Sequence, residues 1–348
     1  MWLIRLVLCK YLFLLSFLCD AQEFPAREVR LVVPYPLSGP PDIRGASRMT
    51  KAYKAIAANA PPPISDILGR LVQQSLRSQS KHPVLFDRQP GAATTRGAQH
   101  VARASADGHT LLLASNATMV LTPNYAFRVG YDPMKDFVLV APLVNMPFVL
   151  MVSTGLPYQT LPQIINWVKH RPGEINYTSS GEGSTGHLAG ELLKRAAGID
   201  MVHVSYNGGL AALNAVTTGH VALMFAALPL VLPYVDNEQL RPLALASATR
   251  SAVLPDLPTL AEAGVRNVEI EAWYGVFARN GTPSGAIRWL HESIAAGLED
   301  GNARSQLRML GLEPIDTPLS RFATRIYSEA EKWGPVMRES RFTRPEPS

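Results

Sequence analysis

The sequence predicts an α/β fold in which parallel sheets are covered by helices on both faces. Short apolar runs of strand length alternate along the chain with segments whose apolar residues follow helical spacing. Because parallel strands need long crossover connections, this alternation is typical of helices packed on both faces of a parallel sheet. The length of 348 residues is enough for two domains of about 100–200 residues each.

Each predicted strand is a short apolar run, and each predicted helix has its apolar residues on one face. The predicted strands are 29–33, 110–114, 148–152, 202–204, 221–225 and 243–246. Helices are expected at 161–170, 186–197 and 210–218. A further helix is indicated by the helical spacing of Ile64, Ile67, Leu68, Leu71, Val72 and Leu76.

Helix ends are marked by capping residues in the second half of the chain. Thr259-Leu-Ala-Glu262 forms a capping box, and Gly264 is expected to end a short helix there. Gly219 and Gly311 have positions typical of the residue that follows a helix. Thr317 followed by Pro318 is typical of an N-cap and a first-turn proline.

Residues 1–21 predict export through a signal peptide. Arg5 precedes an apolar run at 11–19, and Ala21 is a suitable cleavage residue. The run is shorter than the segment of about 20 residues that crosses a bilayer, and an uncleaved membrane anchor is the competing interpretation. Both cysteines, Cys9 and Cys19, lie in this leader. The exported chain would therefore have no disulfide, thiolate metal site or cysteine nucleophile.

Composition and charge argue against nucleic-acid binding. The net charge of +5 comes from 33 basic and 28 acidic residues, which are dispersed without a dense Lys/Arg block. A mildly basic surface favours the approach of anions. Beyond the leader, no stretch is long and apolar enough to cross a bilayer.

The most informative motif is a glycine- and hydroxyl-rich segment at 177–187, between a strand-like run and a helix. The first N–H groups of a helix lack intrahelical partners and carry the positive end of its dipole. Such a junction binds a carboxylate or phosphate without a cationic side chain. The alternative is a glycine-rich turn whose serine only caps the helix. The candidate ligand-binding residues of this segment are Ser179, Ser180, Gly183, Ser184 and Thr185.

Two other polar turns follow predicted strands. Ser115 and Asn116 come after the strand 110–114, at the end where open α/β sheets bind ligands. Tyr206 and Asn207 precede the helix 210–218, whose first N–H groups could also face an anion. An ordinary polar turn is the alternative for both segments.

No metal, cofactor or catalytic site is indicated. His187 and Glu191 are four positions apart on one helix, but no third ligand is evident, so a structural role is expected. The segment around Ser184 lacks the first glycine of the Gly-x-Ser-x-Gly motif and the lysine of a phosphate-binding P-loop. We therefore expect no enzyme activity. Trp273 is expected in the core, while Tyr274 is a candidate for lining a binding cleft.

Eight motifs occur in order between Phe24 and Met337, at 24–36, 88–92, 106–113, 131–137, 176–191, 202–208, 254–259 and 272–277. Through them the chain resembles the Bug family, also called TctC-like proteins, which are periplasmic solute-binding receptors of tripartite tricarboxylate transport systems. The resemblance implies a type II periplasmic-binding-protein fold, with two Rossmann-like lobes and a ligand cleft between them. Lobe 1 would comprise 24–147 and 273–340, and lobe 2 would comprise 148–272, with crossovers near 148–152 and 273–277.

The resemblance also implies two carboxylate-binding loops. One is the segment 178–185, and the other follows the first strand and contains Tyr35, Ser38 and Gly39. Members of the family usually have Pro-Pro-Gly-Gly-x-x-Asp directly before the first helix. Here the pattern is matched loosely before Asp42 and again before Asp66, 24 positions later. This indicates an insertion near 40–63.

A second departure from the family pattern concerns Ala226 and Ala227. Similar proteins often have a polar pair there, so the alanines favour a ligand without an ammonium group.

The resemblance implies that the protein captures a small organic carboxylate in the periplasm and presents it to membrane permease subunits, without a cofactor and as a monomer. A ligand-dependent co-receptor for a two-component sensor kinase is the alternative. A serine hydrolase that uses Ser184, and a cleft inactivated by the insertion, are further alternatives. The sequence does not distinguish dicarboxylates, tricarboxylates and aromatic acids.

Overall fold

A computed structural model describes residues 24–35, 63–125, 128–236 and 238–340. The predicted signal peptide, Ser38, Gly39 and the insertion up to residue 62 lie outside the described residues. Within the described ranges, no helix is both long enough and apolar enough to cross a membrane.

The predicted strands are found, as are the helices predicted near 64–76 and at 161–170, 186–197 and 210–218, with some shifts in their bounds. In the described residues the strands are β1 (Val29–Val33), β2 (Val84–Arg88), β3 (Thr110–Ser115), β4 (Phe137–Ser153), β5 (Asn176–Ser179), β6 (Val202–Ser205), β7 (Leu223–Ala227), β8 (Leu240–Leu245), β9 (Glu271–Arg279) and β10 (Glu313–Pro314).

The helices of the same residues are α1 (Ile64–Gln79), α2 (Thr95–Ala102), α3 (Thr122–Tyr125), α4 (Pro133–Asp136), α5 (Leu161–Lys169), α6 (Thr185–Ala197), α7 (Gly209–Thr217), α8 (Leu228–Asp236), α9 (Ser284–Glu299), α10 (Gly301–Met309) and α11 (Leu319–Ser340). A π-helical turn, Ala117–Leu121, precedes α3.

The described strands form a continuous sheet in the order β2-β1-β3-β9-β4-β7-β5-β6, with β8 and β10 also paired to β4. Strands β1, β2 and β3 are parallel to one another, as are β5, β6 and β7. We call the part from β2 to the start of β4 the first sheet, and the part from the end of β4 to β6 the second sheet.

The prediction of parallel sheets is incomplete, because β4 and β9 run antiparallel to their neighbours. The first part of β4 pairs with β9 as far as Pro147, and its last part pairs with β7 and β8 from Phe148 onward. The long strand therefore carries the chain from the first sheet into the second, close to where the resemblance places a crossover.

Continuous burial explains why the parallel strands are apolar throughout. In β3, every residue after Thr110 is buried, because helices cover both faces of the sheet. Trp273 in β9 is fully buried, and its Nε1–H donates to Glu329 of α11 at 2.8 Å. The core position expected for Trp273 is therefore confirmed.

The short helix expected at 259–264 is absent from the described structure, although its capping box forms. Glu262 N–H donates to Thr259 Oγ1 at 3.1 Å, and Thr259 N–H donates to the Glu262 carboxylate at 2.8 Å. Gly264 has a φ of +97°, and the N–H of Val265 donates a hydrogen bond to the carbonyl oxygen of Leu260. The C-terminal motif follows the N-cap so closely that a single turn is formed.

A smaller correction concerns the start of α11. The helix begins at Leu319, and the carbonyl of Pro318 accepts the N–H groups of Arg321 and Phe322. Pro318, rather than Thr317, is therefore the residue that caps this helix.

Candidate functional site

A cavity of about 360 Å³ opens where the parallel strands of both sheets end. Its polar lining comes from the residues that follow β1, β3, β5 and β6, and this is the edge where α/β sheets bind ligands. The described lining residues are Tyr35, Pro63, Ile64, Ser65, Ser115, Asn116, Ala117, Met146, Phe148, Ser180, Ser184, Thr185, Asn207, Gly208, Gly209, Leu210, Ala211, Ala227, Leu230, Ala272 and Tyr274. We call it the cleft cavity.

Three helices begin at the cleft cavity. The first residues of α1, α6 and α7 all belong to its lining. Ser184 caps α6 by accepting the N–H of His187 at 3.3 Å, whereas no side chain of the described residues caps α1 or α7. Because first-turn N–H groups have no intrahelical partner and carry positive partial charge, the three helix starts create a site suited to an anion.

Two tyrosines add neutral hydrogen-bond donors. The hydroxyl of Tyr35 donates to Ser115 Oγ at 2.9 Å, and its ring lies edge-on to Tyr274 with centroids 5.7 Å apart. Burial raises the pKa of Tyr35 and raises the pKa of Tyr274 well above its usual value. Both side chains therefore remain protonated phenols at neutral pH, without a negative charge that would repel an anion.

Arg88 of β2 lies behind the cleft cavity and connects the start of α1 with the segment that follows β1. One nitrogen of Arg88 donates to both carboxylate oxygens of Asp66 at 2.7 Å, and the other donates to Tyr35 O at 3.1 Å. Asp66 lies in the first turn of α1, where the helix dipole favours a carboxylate. The arginine therefore orients two segments that line the cavity.

Asn116 connects the two sheets at the base of the cleft cavity. Its Nδ2 donates to the carbonyl of Glu271 at 3.2 Å, and its Oδ1 accepts from Thr185 Oγ1 at 3.2 Å. With only 1% of its surface exposed, the side chain holds the end of β3, the start of β9 and the start of α6 in one arrangement.

Seven of the residues proposed from the sequence line the cleft cavity, and the ligand-binding role of each remains a proposal. The seven are Tyr35, Ser115, Asn116, Ser180, Ser184, Thr185 and Asn207. Ser38 and Gly39 lie outside the described residues. Tyr274, expected as a lining residue, also borders the cavity.

Ser179, Gly183 and Tyr206 are not among the lining residues of the cleft cavity, and their ligand-binding role stays a prediction. Ser179 is fully buried and its hydroxyl bonds to Gly181 O at 3.0 Å and His203 Nε2 at 2.8 Å. Adjacent strand residues point to opposite sides, so Ser179 faces inward while Ser180 reaches the cavity.

Gly183 and Tyr206 are likewise directed elsewhere. Gly183 has φ +72°, and its N–H donates to His187 Nδ1 at 3.2 Å. The Tyr206 side chain packs against the apolar core of the second sheet. Their placement does not support direct contact with a ligand in the cleft cavity.

Sequence reasoning missed several lining residues. Ser65 follows a proline run at the start of α1, so its place at a helix start could have been read from the sequence. Met146 and Phe148 are alternate residues of β4. Their contribution depends on the neighbouring strands, for which the local sequence gives no indication.

Two histidines stack behind the glycine-rich segment. The rings of His187 and His203 are 4.1 Å apart and nearly parallel, at 9°. Burial lowers the pKa of His187 to about 4, and burial together with the nearby His187 lowers the pKa of His203 to about 3. Both rings are therefore neutral at physiological pH, and they support the segment without contributing a positive charge.

The arrangement around Ser184 differs from that of a catalytic serine. Its Oγ accepts from the backbone N–H of His187, while the imidazole Nδ1 of His187 accepts from Gly183 N–H. An activated nucleophile needs a base within hydrogen-bond reach of its hydroxyl. Glu191 accepts from Tyr177 rather than from His187. In the described ranges no three His, Cys, Asp or Glu residues are placed to hold a metal ion.

Three other depressions in the described part of the chain are larger. One, of about 430 Å³, lies between the 252–253 turn and α10 and has no strand residue in its lining. The other two are each confined to one sheet. One, of about 640 Å³, lies beside the start of α5 and the 253–258 turn of the second sheet. The other, of about 680 Å³, lies along β2 and α1 of the first sheet. The cleft cavity takes its lining from both sheets, which favours it as the ligand site.

Comparisons with known proteins agree with this architecture. A curated relative from Cupriavidus necator, the UPF0065 protein in the gbd 5' region, is 31% identical over 295 residues, which cover 85% of this chain and 82% of the relative. Among solved structures, R. palustris Rpa4515 with adipate is 30% identical with a TM-score of 0.77, covering 90% of this chain and 97% of its own.

A second solved structure, MatC (Rpa3494) from Rhodopseudomonas palustris with bound malate, is 26% identical with a TM-score of 0.73, covering 90% of this chain and 100% of its own. The predicted α/β fold of the periplasmic binding proteins is thereby confirmed. The family model described as "Tripartite tricarboxylate transporter family receptor" matches residues 68–342. This chain therefore belongs to the TctC family of tripartite tricarboxylate transporter receptors.

Proposed function

We propose that this protein is a periplasmic receptor that captures a small organic carboxylate and delivers it to a membrane permease. The observation that carries the proposal is the convergence of three helix starts and several hydroxyls on one cavity between the two sheets. Charge-assisted hydrogen bonds from backbone N–H groups to a carboxylate are strong in such a site. The similar proteins that hold adipate and malate support this ligand class.

In this proposal the ligand carboxylate contacts the starts of α6 and α7. Ser180, Ser184, Thr185 and Asn207 would supply hydrogen bonds from the second sheet, and Tyr35, Ser115 and Asn116 from the first. Ser38 and Gly39, which lie outside the described residues, stay candidates for further ligand contacts. Ordered water would satisfy the remaining carboxylate lone pairs.

Capture would use closure of two lobes, 24–147 with 273–340 and 148–272. Strand β4 passes from one sheet to the other beside Pro147 and Phe148, so a small change in backbone angles there would move the lobes relative to each other. The Asn116–Thr185 hydrogen bond joins the lobes across the cavity, and we propose that it stabilises the closed form. Binding would involve no cofactor and no bond-breaking step.

Thermal unfolding with a panel of acids tests the proposal. Compounds such as acetate, hexanoate, malate and adipate would each be compared with the corresponding neutral amide. A ligand at 1,000 times its Kd stabilises the folded state by about 4 kcal/mol, so at least one acid should raise the Tm clearly while its amide does not.

Two variants locate the effect. Ser180→Ala, which removes a hydroxyl from the cleft cavity, should reduce the rise in Tm. Thr324→Ala, on the exposed face of α11, is the control and should not. A panel in which no acid raises the Tm, or in which amides act as strongly as acids, would contradict the carboxylate receptor.

A further inference from the structure

One side of the cleft cavity is apolar. Strand pairing places Met146 of β4 opposite Ala272 of β9, and Phe148 of β4 opposite Ala227 of β7. All four line the cavity together with Leu230 of α8. We call these five residues the apolar wall.

The apolar wall is well packed and contributes little hydrogen-bonding capacity. Met146 and Phe148 are 7% and 8% exposed, and Ala272 is 3% exposed, so the three residues are held in place and present only part of their surface to the cavity. Leu230 packs over the start of α7, where its Cδ2 lies 2.7 Å from the position of a Cβ at Gly209. The wall therefore offers a fixed apolar surface beside the helix starts.

The hydrogen-bonding side chains lie mainly at strand ends and helix starts, on Ser65, Ser115, Asn116, Ser180, Ser184, Thr185 and Asn207, together with the hydroxyls of Tyr35 and Tyr274. Among the described lining residues there is no Asp, Glu, Lys, Arg or His. A single carboxylate can thus be satisfied by helix starts and hydroxyls. A second carboxylate placed against the apolar wall would lose its water without gaining a cationic partner from the described lining residues.

We propose that the ligand is a monocarboxylate with an apolar body, its carboxylate at the starts of α6 and α7 and its distal end against the apolar wall. This inference rests on the proposed function and narrows its ligand class. The volume of about 360 Å³ is near the lower end of the usual range of about 300–1,000 Å³ for ligand sites, which fits a small acid. The apolar end gains by leaving water, so affinity should increase with alkyl chain length until the cavity is filled.

Hexanoate and adipate provide a matched pair for the test, because they have the same number of carbons and differ in one terminal group. Titration calorimetry at pH 7.5, where both acids are ionised, measures each affinity. We expect hexanoate to bind at least about tenfold more tightly than adipate, the cost of one uncompensated carboxylate. Equal or tighter binding of adipate would overturn the inference and leave the carboxylate receptor intact. If neither hexanoate nor adipate binds, and no other acid of the panel binds, the inference and the carboxylate receptor would both be overturned.

A substitution in the apolar wall checks where the distal end lies. Leu230→Lys supplies a cation and should shift the hexanoate-to-adipate affinity ratio toward adipate by at least about tenfold. Leu232→Lys on the same helix, outside the cavity lining, is the matched control and should leave the ratio unchanged. If Leu230→Lys does not fold, Ala227→Asn supplies an amide donor in the wall and should shift the ratio in the same direction. An unchanged ratio in a folded wall variant would overturn the inference.

Discussion

Acid pH should destabilise the protein through the stacked pair His187 and His203. Burial lowers the pKa of these side chains to about 4 and about 3, whereas an unfolded histidine has a pKa of about 6.5. Between these values the unfolded chain binds more protons than the folded chain, so the free energy of unfolding decreases as the pH falls below about 6.5. Between pH 8 and pH 5 this difference in proton binding lowers the free energy of unfolding by about 2 kcal/mol for each ring.

Urea unfolding followed by circular dichroism at pH 8, 7, 6 and 5 measures this effect. His203→Gln should remove about 2 kcal/mol of the pH dependence, since one of the two linked rings is lost. Thr324→Ala, a non-titrating change on the exposed face of α11, should leave the pH dependence unchanged. Glu271 acts in the opposite direction, because burial raises its pKa. The difference between wild type and His203→Gln therefore isolates the contribution of His203. An identical dependence of the free energy of unfolding on pH in these two proteins would show that His203 is not linked to folding.

Two other pairs of substitutions test the construction of the site. Ser184→Ala removes the N-cap of α6, and Asp300→Ala removes the N-cap of α10, whose carboxylate accepts Ala303 N–H at 2.9 Å. Each substitution should lower the free energy of unfolding, measured in urea, by about 1 kcal/mol. Only Ser184→Ala should weaken acid binding in calorimetry. Equal acid affinities in wild type and Ser184→Ala would contradict a role for the Ser184 hydroxyl. Gly186→Ala would place its Cβ 2.6 Å from the backbone oxygen of Phe225, so we expect a loss of about 1–3 kcal/mol and weaker acid binding as the start of α6 shifts. Gly285→Ala, with no atom within 4 Å of its Cβ position, should be neutral or stabilising by up to about 1 kcal/mol, and a similar loss in both glycine variants would contradict the close packing of α6 on β7.

Local sequence patterns predict the short buried strands well because their burial is continuous. The long strand β4 shows where this fails. Only 148–152 was predicted as a strand, because Pro142, Asn145 and Pro147 interrupt the preceding apolar residues. In the structure this segment is extended, with register shifts between Leu139 and Ala141 and between Pro142 and Val144 in its pairing with β9. Bulges of this kind tolerate prolines, and they depend on a partner strand far away in the sequence.

The edge strand β2 was not predicted from the pattern, although the opposite edge strand, β6, was. Strand β2, with the sequence Val-Leu-Phe-Asp-Arg, has one buried residue, and its charged residues make ion pairs with Arg30 and Asp66. A strand that pairs on one side only can carry charges, so it lacks the apolar run by which buried strands are identified.

The candidate site was predictable in position but not in detail. The strand-to-helix junction containing Ser180, Ser184 and Thr185 does border the cleft cavity, as expected from the dipole argument. The opposite orientation of Ser179 depends on where β5 ends, which the sequence did not determine to one residue. Met146 and Phe148 reach the cavity only because β4 lies between β9 and β7, and this is a consequence of tertiary pairing.

A crystal structure of the protein with the tightest-binding acid of the panel would show whether the helix starts hold the ligand. We expect a carboxylate in the cleft cavity within hydrogen-bond distance of backbone N–H groups at the start of α6 or α7, such as those of Thr185 and Leu210. An acid bound elsewhere, or one whose carboxylate contacts none of these helix starts, would contradict this expectation.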